Sequence, residues 1–207
     1  MSLSKKLLIL SVTGFHRGTQ SERKIVVHLL KNGALASTLF HDLYVRKNTN
    51  DYAQIDLVMA TSIGVIVIEV KDYGGWIYGT GTKKYWTQVM AYGKQKYRFY
   101  NPIMQNQGHI ATLKANLTQN DNIPFYSVIV FTNRGKLIDI DLIPDNTFII
   151  NSYEIISLLA NLLSSKPVVN YGSKVELIQL LSESAKNGNS SEIRKQHRIQ
   201  LNNYNYN

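Results

Sequence analysis

Gln54-Ile55-Asp56-Leu57-Val58-Met59 and, after a short turn, Gly64-Val65-Ile66-Val67-Ile68-Glu69-Val70-Lys71 are the stretches that decide the fold. A nearly unbroken run of β-branched and apolar residues suits a strand covered on both faces, so the second stretch belongs in the middle of a sheet. Into this apolar setting the sequence places two acids and a lysine. A carboxylate inside a sheet is costly unless it is paired or binds a metal. Glu69 and Lys71, two residues apart on one strand, share a face, and Asp56 can join them if its strand is the neighbour.

Working outward, Ser21 to Gly33 carries apolar residues on one helical face, with Gly33 as the expected C-cap. Phe40 to Val45 is a short β-prone segment, followed by a polar turn from Arg46 to Tyr52. Beyond the decisive strands, Gly74, Gly75, Gly79 and Gly81 punctuate an aromatic stretch containing Trp76, Tyr78, Tyr85 and Trp86, which predicts a twisted hairpin flanking the sheet. Pro102 opens a helix expected to end near Thr118. Tyr126 to Thr132 and Thr147 to Ile150 read as strands, Ser152 to Leu163 as a helix capped by Ser152, and Val175 to Ala185 as a last helix.

This order predicts an α/β fold whose mixed central sheet is flanked by helices. It divides into an amphipathic docking segment at residues 1–19, a core at 20–135, a C-terminal strand and helices completing the same domain at 136–185, and a flexible, basic, Asn-rich tail at 186–207. The chain has 207 residues, a size suited to one domain. With no cysteine, disulfide frameworks, thiolate nucleophiles and zinc knuckles are excluded, and any metal must sit on oxygen or histidine. No apolar run reaches the ~20 residues of a membrane-spanning helix, so no membrane partner is expected. Lys5 and Lys6 before Leu7 faintly resemble a signal peptide, but no small-residue cleavage site follows, and cytoplasmic residence is the expectation.

A net charge of +9 favours a polyanionic partner. Lys83, Lys84, Lys94, Lys96 and Arg98 interleave with Tyr85, Trp86, Tyr97 and Tyr100, a composition that can track phosphates and stack bases, or equally can form a solvated hairpin whose aromatics cover a sheet edge. The five histidines show no metal-ligand spacing; His109, one turn beyond Gln105, can approach the site but also fits a packing role.

Two carboxylates with a nearby backbone carbonyl, here that of Val70, suit Mg²⁺ or Mn²⁺ that retains waters for a phosphate to displace. Such a set, with a lysine beside the attacking water, points to phosphodiester hydrolysis. The plain alternative is a strand-end salt bridge between Glu69 and Lys71, with Asp56 capping a loop.

Several motifs, in order, resemble the nuclease-related domain (NERD) of the PD-(D/E)XK nuclease superfamily. Ser21-Glu22-Arg23-Lys24 is similar to its acidic first-helix motif, Gln54-Ile55-Asp56-Leu57-Val58 to its QIDLV strand, and Ile68-Glu69-Val70-Lys71-Asp72-Tyr73-Gly74-Gly75 to its IEVKNYSG element. Trp86 matches an aromatic position, and Asn101-Pro102-Ile103-Met104-Gln105 resembles the NPxxQ helix start. The resemblance implies a restriction-endonuclease-like αβββαβ core and metal-dependent cleavage of nucleic acid, with DNA the expected substrate and Mg²⁺ or Mn²⁺ the cofactor. By that resemblance Asp56 and Glu69 are metal ligands with the Val70 carbonyl, and Lys71 is the catalytic lysine. Glu22 is the assisting acid, and Gln105 and Gln54 complete the polar site, Gln54 also being a candidate nucleic-acid contact. Asp72 and Gly74 depart from the family's usual Asn and Ser. A catalytically silent module that binds nucleic acid or a partner protein is the alternative, and a homodimer is expected if both strands of a duplex are cut.

Overall fold

β1 (Leu39–Arg46), β2 (Tyr52–Thr61) and β3 (Gly64–Lys71) form an antiparallel meander in which Leu57 pairs with Ile68 and Val58 with Val67. The free edge of β3 takes up β7 (Phe125–Phe131) in parallel, and β7 takes up β9 (Thr147–Asn151) in parallel, giving one mixed sheet of order β1-β2-β3-β7-β9. The computed structural model describes residues 3–14, 17–49, 51–117, 122–132, 135–170, 172 and 174–205.

Helices cover both faces of this sheet, as the apolar run of β3 requires. On one side lie α1 (Leu3–Val12), α2 (Gln20–Lys31) and α4 (Ile155–Ser165), whose Val12, Ile25, Leu29 and Leu159 pack against Leu57, Met59, Ile66, Ile68 and Val128. On the other, α3 (Pro102–Ala115) and α5 (Lys174–Asn187) bring Leu113, Leu177 and Leu181 onto Val58, Val65 and Val67. The face alternation slips once on each of two strands. Ile55 joins the α3 side although Leu57, two residues on, joins the α2 side. On β1 the matching point is Asp42, which takes a left-handed φ of 54°. Aspartate tolerates this conformation better than most residues. Asp42 and Asp56 therefore sit where the apolar pattern of each strand breaks.

The β3/β7 pair continues past a bend as β4 (Gly75–Thr80) and β8 (Gly135–Asp141), again parallel, with Gly75 opposite Gly135. With β5 (Tyr85–Met90) and β6 (Gln95–Tyr100) they make a second sheet of order β6-β5-β4-β8. Its inner face holds Ile77 and Trp86 against Ile103 and Phe131. The Trp86 and Phe131 rings are stacked at 6.3 Å, and Gly79 is obligatory because a Cβ there would fall inside the indole.

Several expectations are corrected. The hairpin is only half of a four-stranded sheet, because β6 is too polar and β8 too exposed to stand out in the sequence. Trp86 is 1% exposed and donates its Nε1–H to the Thr80 carbonyl, so it is core and offers no surface for bases. The tail is helical over α6 (Ser191–Asn205), where His197 Nδ1 lies 3.0 Å from the Tyr52 carbonyl. Caps shift as well: Thr19 Oγ1 accepts from the Glu22 amide, Asn32 closes α2, and Asn151 with Glu154 forms the capping box before α4. The 1–19 segment contains α1, which docks Ile9 and Val12 inward and leaves Leu7, Leu8 and Leu10 exposed. Among the described residues no helix is long and apolar enough to cross a membrane.

Candidate active site

The β2/β3 ladder ends at the Leu57 and Ile68 pair. One step beyond it, the Val70 amide takes a side chain where a backbone partner would have been, donating to Asp56 Oδ2 at 2.8 Å. Asp56 Oδ1 accepts from Gln54 Nε2 at 3.3 Å, and the same amide nitrogen reaches Asp42 Oδ1 at 3.2 Å. Glu69 and Lys71 leave β3 on the α3 side. Lys71 Nζ stands 2.7 Å from Glu69 Oε1 and donates to Gln105 Oε1 at 2.9 Å. The acid, the lysine and the first-turn glutamine of α3 thus meet.

α3 is fixed in this position by residues that bear no charge. Asn101 caps it by accepting from the Ile103 amide, and the Asn101 amide group donates to the carbonyls of Thr80, Gly81 and Lys83. Asn106, fully buried, donates to the Val67 carbonyl and to Ser127 Oγ, tying the helix to β3 and β7. One turn past Gln105, His109 Nε2 comes within 3.3 Å of Glu69 Oε2, yet neither atom has a well-aligned hydrogen bond, and both are buried.

On the α2 side Glu22 is 5% exposed and Oε2 lies 3.3 Å from His41 Nε2. Its charge adds to the effect that raises the Asp56 carboxyl. Asp72 accepts from Ser21 Oγ and from Thr132 Oγ1, so the residue that departs from the family's Asn joins α2 to the ends of β3 and β7.

The electrostatics divide the two acids. Burial, then the negative Glu69 and Glu22, push the Asp56 carboxyl well above its ordinary range, against the Val70 amide and Lys71. Burial also raises Glu69, but His109 and Lys71 outweigh it and the net direction is down. Burial lowers Lys71, but the charge and hydrogen bond of Glu69 with the charge of Asp56 together outweigh it, so the net direction is up and the ammonium form is favoured. A pair of this kind holds one proton or one cation between its acids.

Among the described residues no three His, Cys, Asp or Glu side chains cluster closely enough to hold a metal alone. The donors nevertheless fit Mg²⁺ or Mn²⁺, which take one or two carboxylates and keep several waters. Glu69 Oε2 is a buried carboxylate oxygen without a hydrogen bond, and the Asp56 and Glu69 charges repel until a cation separates them. In an extended strand the C=O leaves on the same side as the N–H, which directs the Val70 carbonyl toward Asp56.

Of the residues expected from the sequence, Asp56, Glu69, Lys71 and Gln105 converge, with Glu22 adjacent. Gln54 bridges two aspartates inside the site. Lys83, Lys84, Lys94, Lys96 and Arg98 are exposed on the second sheet and its turns. Asp42 and His41 escaped the sequence reading, because only the register of β1 brings them in, whereas His109, read there as either approaching the site or packing, stands beside Glu69. A cavity of about 790 Å³ between α1 and α2, lined by Ile9, Leu10, Val27 and His28 among others, is separate from these side chains.

A mixed sheet between helices, with an acid midway along β2 and an acid and a lysine at the end of β3, defines a nuclease-like class of fold. The chain belongs to the nuclease-related domain family, whose model matches residues 17–132. A protein of Bacillus anthracis described as uncharacterized is 31% identical over 121 residues, which is 58% of this chain and 55% of that relative. The match therefore spans about half of the relative's length. No solved structure matches the chain.

Proposed function

We propose that the protein is a Mg²⁺- or Mn²⁺-dependent nuclease that hydrolyses phosphodiester bonds of nucleic acid, with DNA as its substrate. The observation that carries this reading is the convergence of Asp56, Glu69, Lys71 and Gln105. Asp56, Glu69 and the Val70 carbonyl would hold the cation, with Glu22 alongside. When bound, the cation supplies Lewis acidity and a water of lowered pKa. Lys71, held between Glu69 and Gln105, presents its ammonium to the charge that develops on the phosphoryl oxygens as water adds to phosphorus and the P–O bond to the leaving group breaks. Glu22, beside Asp56, is suited to orient that water. Two buried carboxylates repel a phosphate unless a proton or a cation offsets them, so a site built only to bind nucleic acid has no use for the pair, which favours the enzyme.

The test is incubation of the protein and its Glu69→Ala variant with linear duplex, circular and single-stranded DNA and with RNA, in Mg²⁺, Mn²⁺ or EDTA. Metal-dependent cutting that vanishes in the variant is expected. Silence of the unaltered protein on every substrate in both metals would leave a nuclease-like binding module instead.

A further inference from the structure

We propose that the outward face of the second sheet is a stacking platform for unpaired nucleic acid. The inference rests on the nuclease reading for its purpose, but not for its observation. Trp86 and Phe99 are paired across β5 and β6 and both pack inward. Strand alternation then puts Tyr85, opposite Tyr100, on the outward face. Arg98, opposite Thr87, and Lys96, opposite Val89, fall on it too, and so does Trp76 of β4, opposite Val89.

These rings are open to solvent: Trp76 is 40% exposed, Tyr85 42% and Tyr100 44%. The rings are also already arranged. Tyr85 and Tyr100 meet edge to face at 6.3 Å, and the Arg98 guanidinium and the Lys84 ammonium lie 5.1 and 5.5 Å from the Tyr85 ring centre. A guanidinium plane on an aromatic ring is itself a surface on which a base can stack.

Charge and ring together select the occupant. Cations alone serve duplex and single strand equally, since both carry phosphates. Rings do not: in a duplex the base faces are buried against one another, whereas an unpaired strand offers a π-face at every nucleotide. A face that spaces exposed rings among Lys84, Lys96 and Arg98 is therefore complementary to a single strand. β6 leads directly through the Asn101 cap into α3, the helix that carries Gln105 and His109, so the platform and the site share a rigid connection.

The experiment is fluorescence anisotropy with a labelled short oligothymidine and a duplex of equal length, in EDTA so that nothing is cut. The unaltered protein is expected to prefer the single strand. A Tyr85→Ala, Tyr100→Ala double variant loses about tenfold or more in affinity, while the Tyr85→Phe, Tyr100→Phe variant keeps it, which separates stacking from misfolding. Lys84→Gln and Arg98→Gln each reduce the salt slope by roughly 0.7, the value for one phosphate on a single strand. Unchanged affinity in the double alanine variant overturns the proposal. So does duplex binding as tight as single-strand binding, or capture of phosphatidylserine vesicles without oligothymidine. Cleavage is scored separately. Ring-dependent binding without cutting removes the nuclease and keeps the platform, and cutting without ring-dependent binding does the reverse.

Discussion

Asp56 and Glu69 are chemically similar acids on adjacent strands, and their surroundings push them in opposite directions. The sign of each shift fixes a separate pH window. The raised carboxyl of Asp56 means that the metal-free fold loses stability as pH rises from the unfolded value of about 3.9 through the higher folded one. Glu69, lowered, contributes stability above its unfolded value of about 4.3 and loses it as pH falls. Asp56→Asn removes the first penalty while keeping an oxygen for the Val70 amide. In EDTA at mildly alkaline pH this variant should melt higher than the parent, by ~2–4 °C for each kcal/mol relieved in a chain of this size. Mn²⁺ should raise the melting temperature of the parent and leave the variant where it was; an equal rise in both would remove Asp56 from the metal site. His109 permits a second test. Its ring nitrogen lies 3.3 Å from the Glu69 oxygen that has no aligned hydrogen bond, close enough to support that oxygen once a cation draws it into place. His109→Ala should raise the Mn²⁺ concentration needed for half-maximal cleavage by roughly 10–100-fold, as loss of a carboxylate's supporting partner does. His109→Gln, which keeps a donor, should recover most of it. Equal metal dependence in all three proteins would reduce His109 to packing. Asp56, Glu69 and Lys71 were readable in the sequence because charge in an apolar strand is a local anomaly, whereas Gln105 came only through the family resemblance, since a polar residue in a first helical turn is by itself ordinary. Asp42 and His41 were not, since β1 carries no comparable run and their roles depend on pairing with β2.

At the level of elements, helices and central strands announce themselves by period, and weakly patterned ones do not. β6 reads Gln-Lys-Tyr-Arg-Phe-Tyr, with only Phe99 turned inward, so no apolar alternation marks it. α6 hid for a related reason. Its inward stripe is Ile193, His197 and Gln200, a helical spacing in which only the first side chain is aliphatic and the other two are polar. His197 touches the Tyr52 carbonyl and meets the Tyr44 ring edge to face at 5.5 Å. Burial holds its pKa below the ordinary value, so docking of α6 is favoured above about pH 6.5 and weakens as pH falls through the folded pKa. Hydrogen exchange should therefore show α6 amides losing protection between about pH 7.5 and pH 5.5 while β3 amides, corrected for intrinsic rate, stay protected. An α6 whose protection is flat across that range, or as pH-sensitive in a His197→Phe variant as in the parent, would deny the histidine this role.

The whole molecule is larger than the segment that defines its family. The family model ends at residue 132, yet β9, α4 and α5 lie beyond it. They are part of the fold: β9 pairs with β7, α4 places Leu159 and Leu162 in one layer, and α5 places Leu177 and Leu181, both fully buried, in the other. α5 lies along β1, the strand that carries Asp42. A sheet whose strands are apolar on both faces cannot leave either face open. Truncation of Leu181 to alanine should thus cost about 2–5 kcal/mol, the range for a large aliphatic side chain lost from a core. Chemical denaturation of the Leu181→Ala variant should show this as a lower midpoint with an unchanged slope. A fragment spanning residues 17–132 should go further: it keeps every candidate catalytic side chain but loses β9 and, from the two sheet faces, α1, α4 and α5, leaving only α2 and α3 as cover. Circular dichroism and calorimetry should find no cooperative unfolding in it, and it should cut nothing even where the full chain does. A fragment that melts cooperatively and retains cleavage would show instead that the C-terminal helices are an addition to a self-sufficient nuclease-related core, and α5 would lose its place in the architecture of the site.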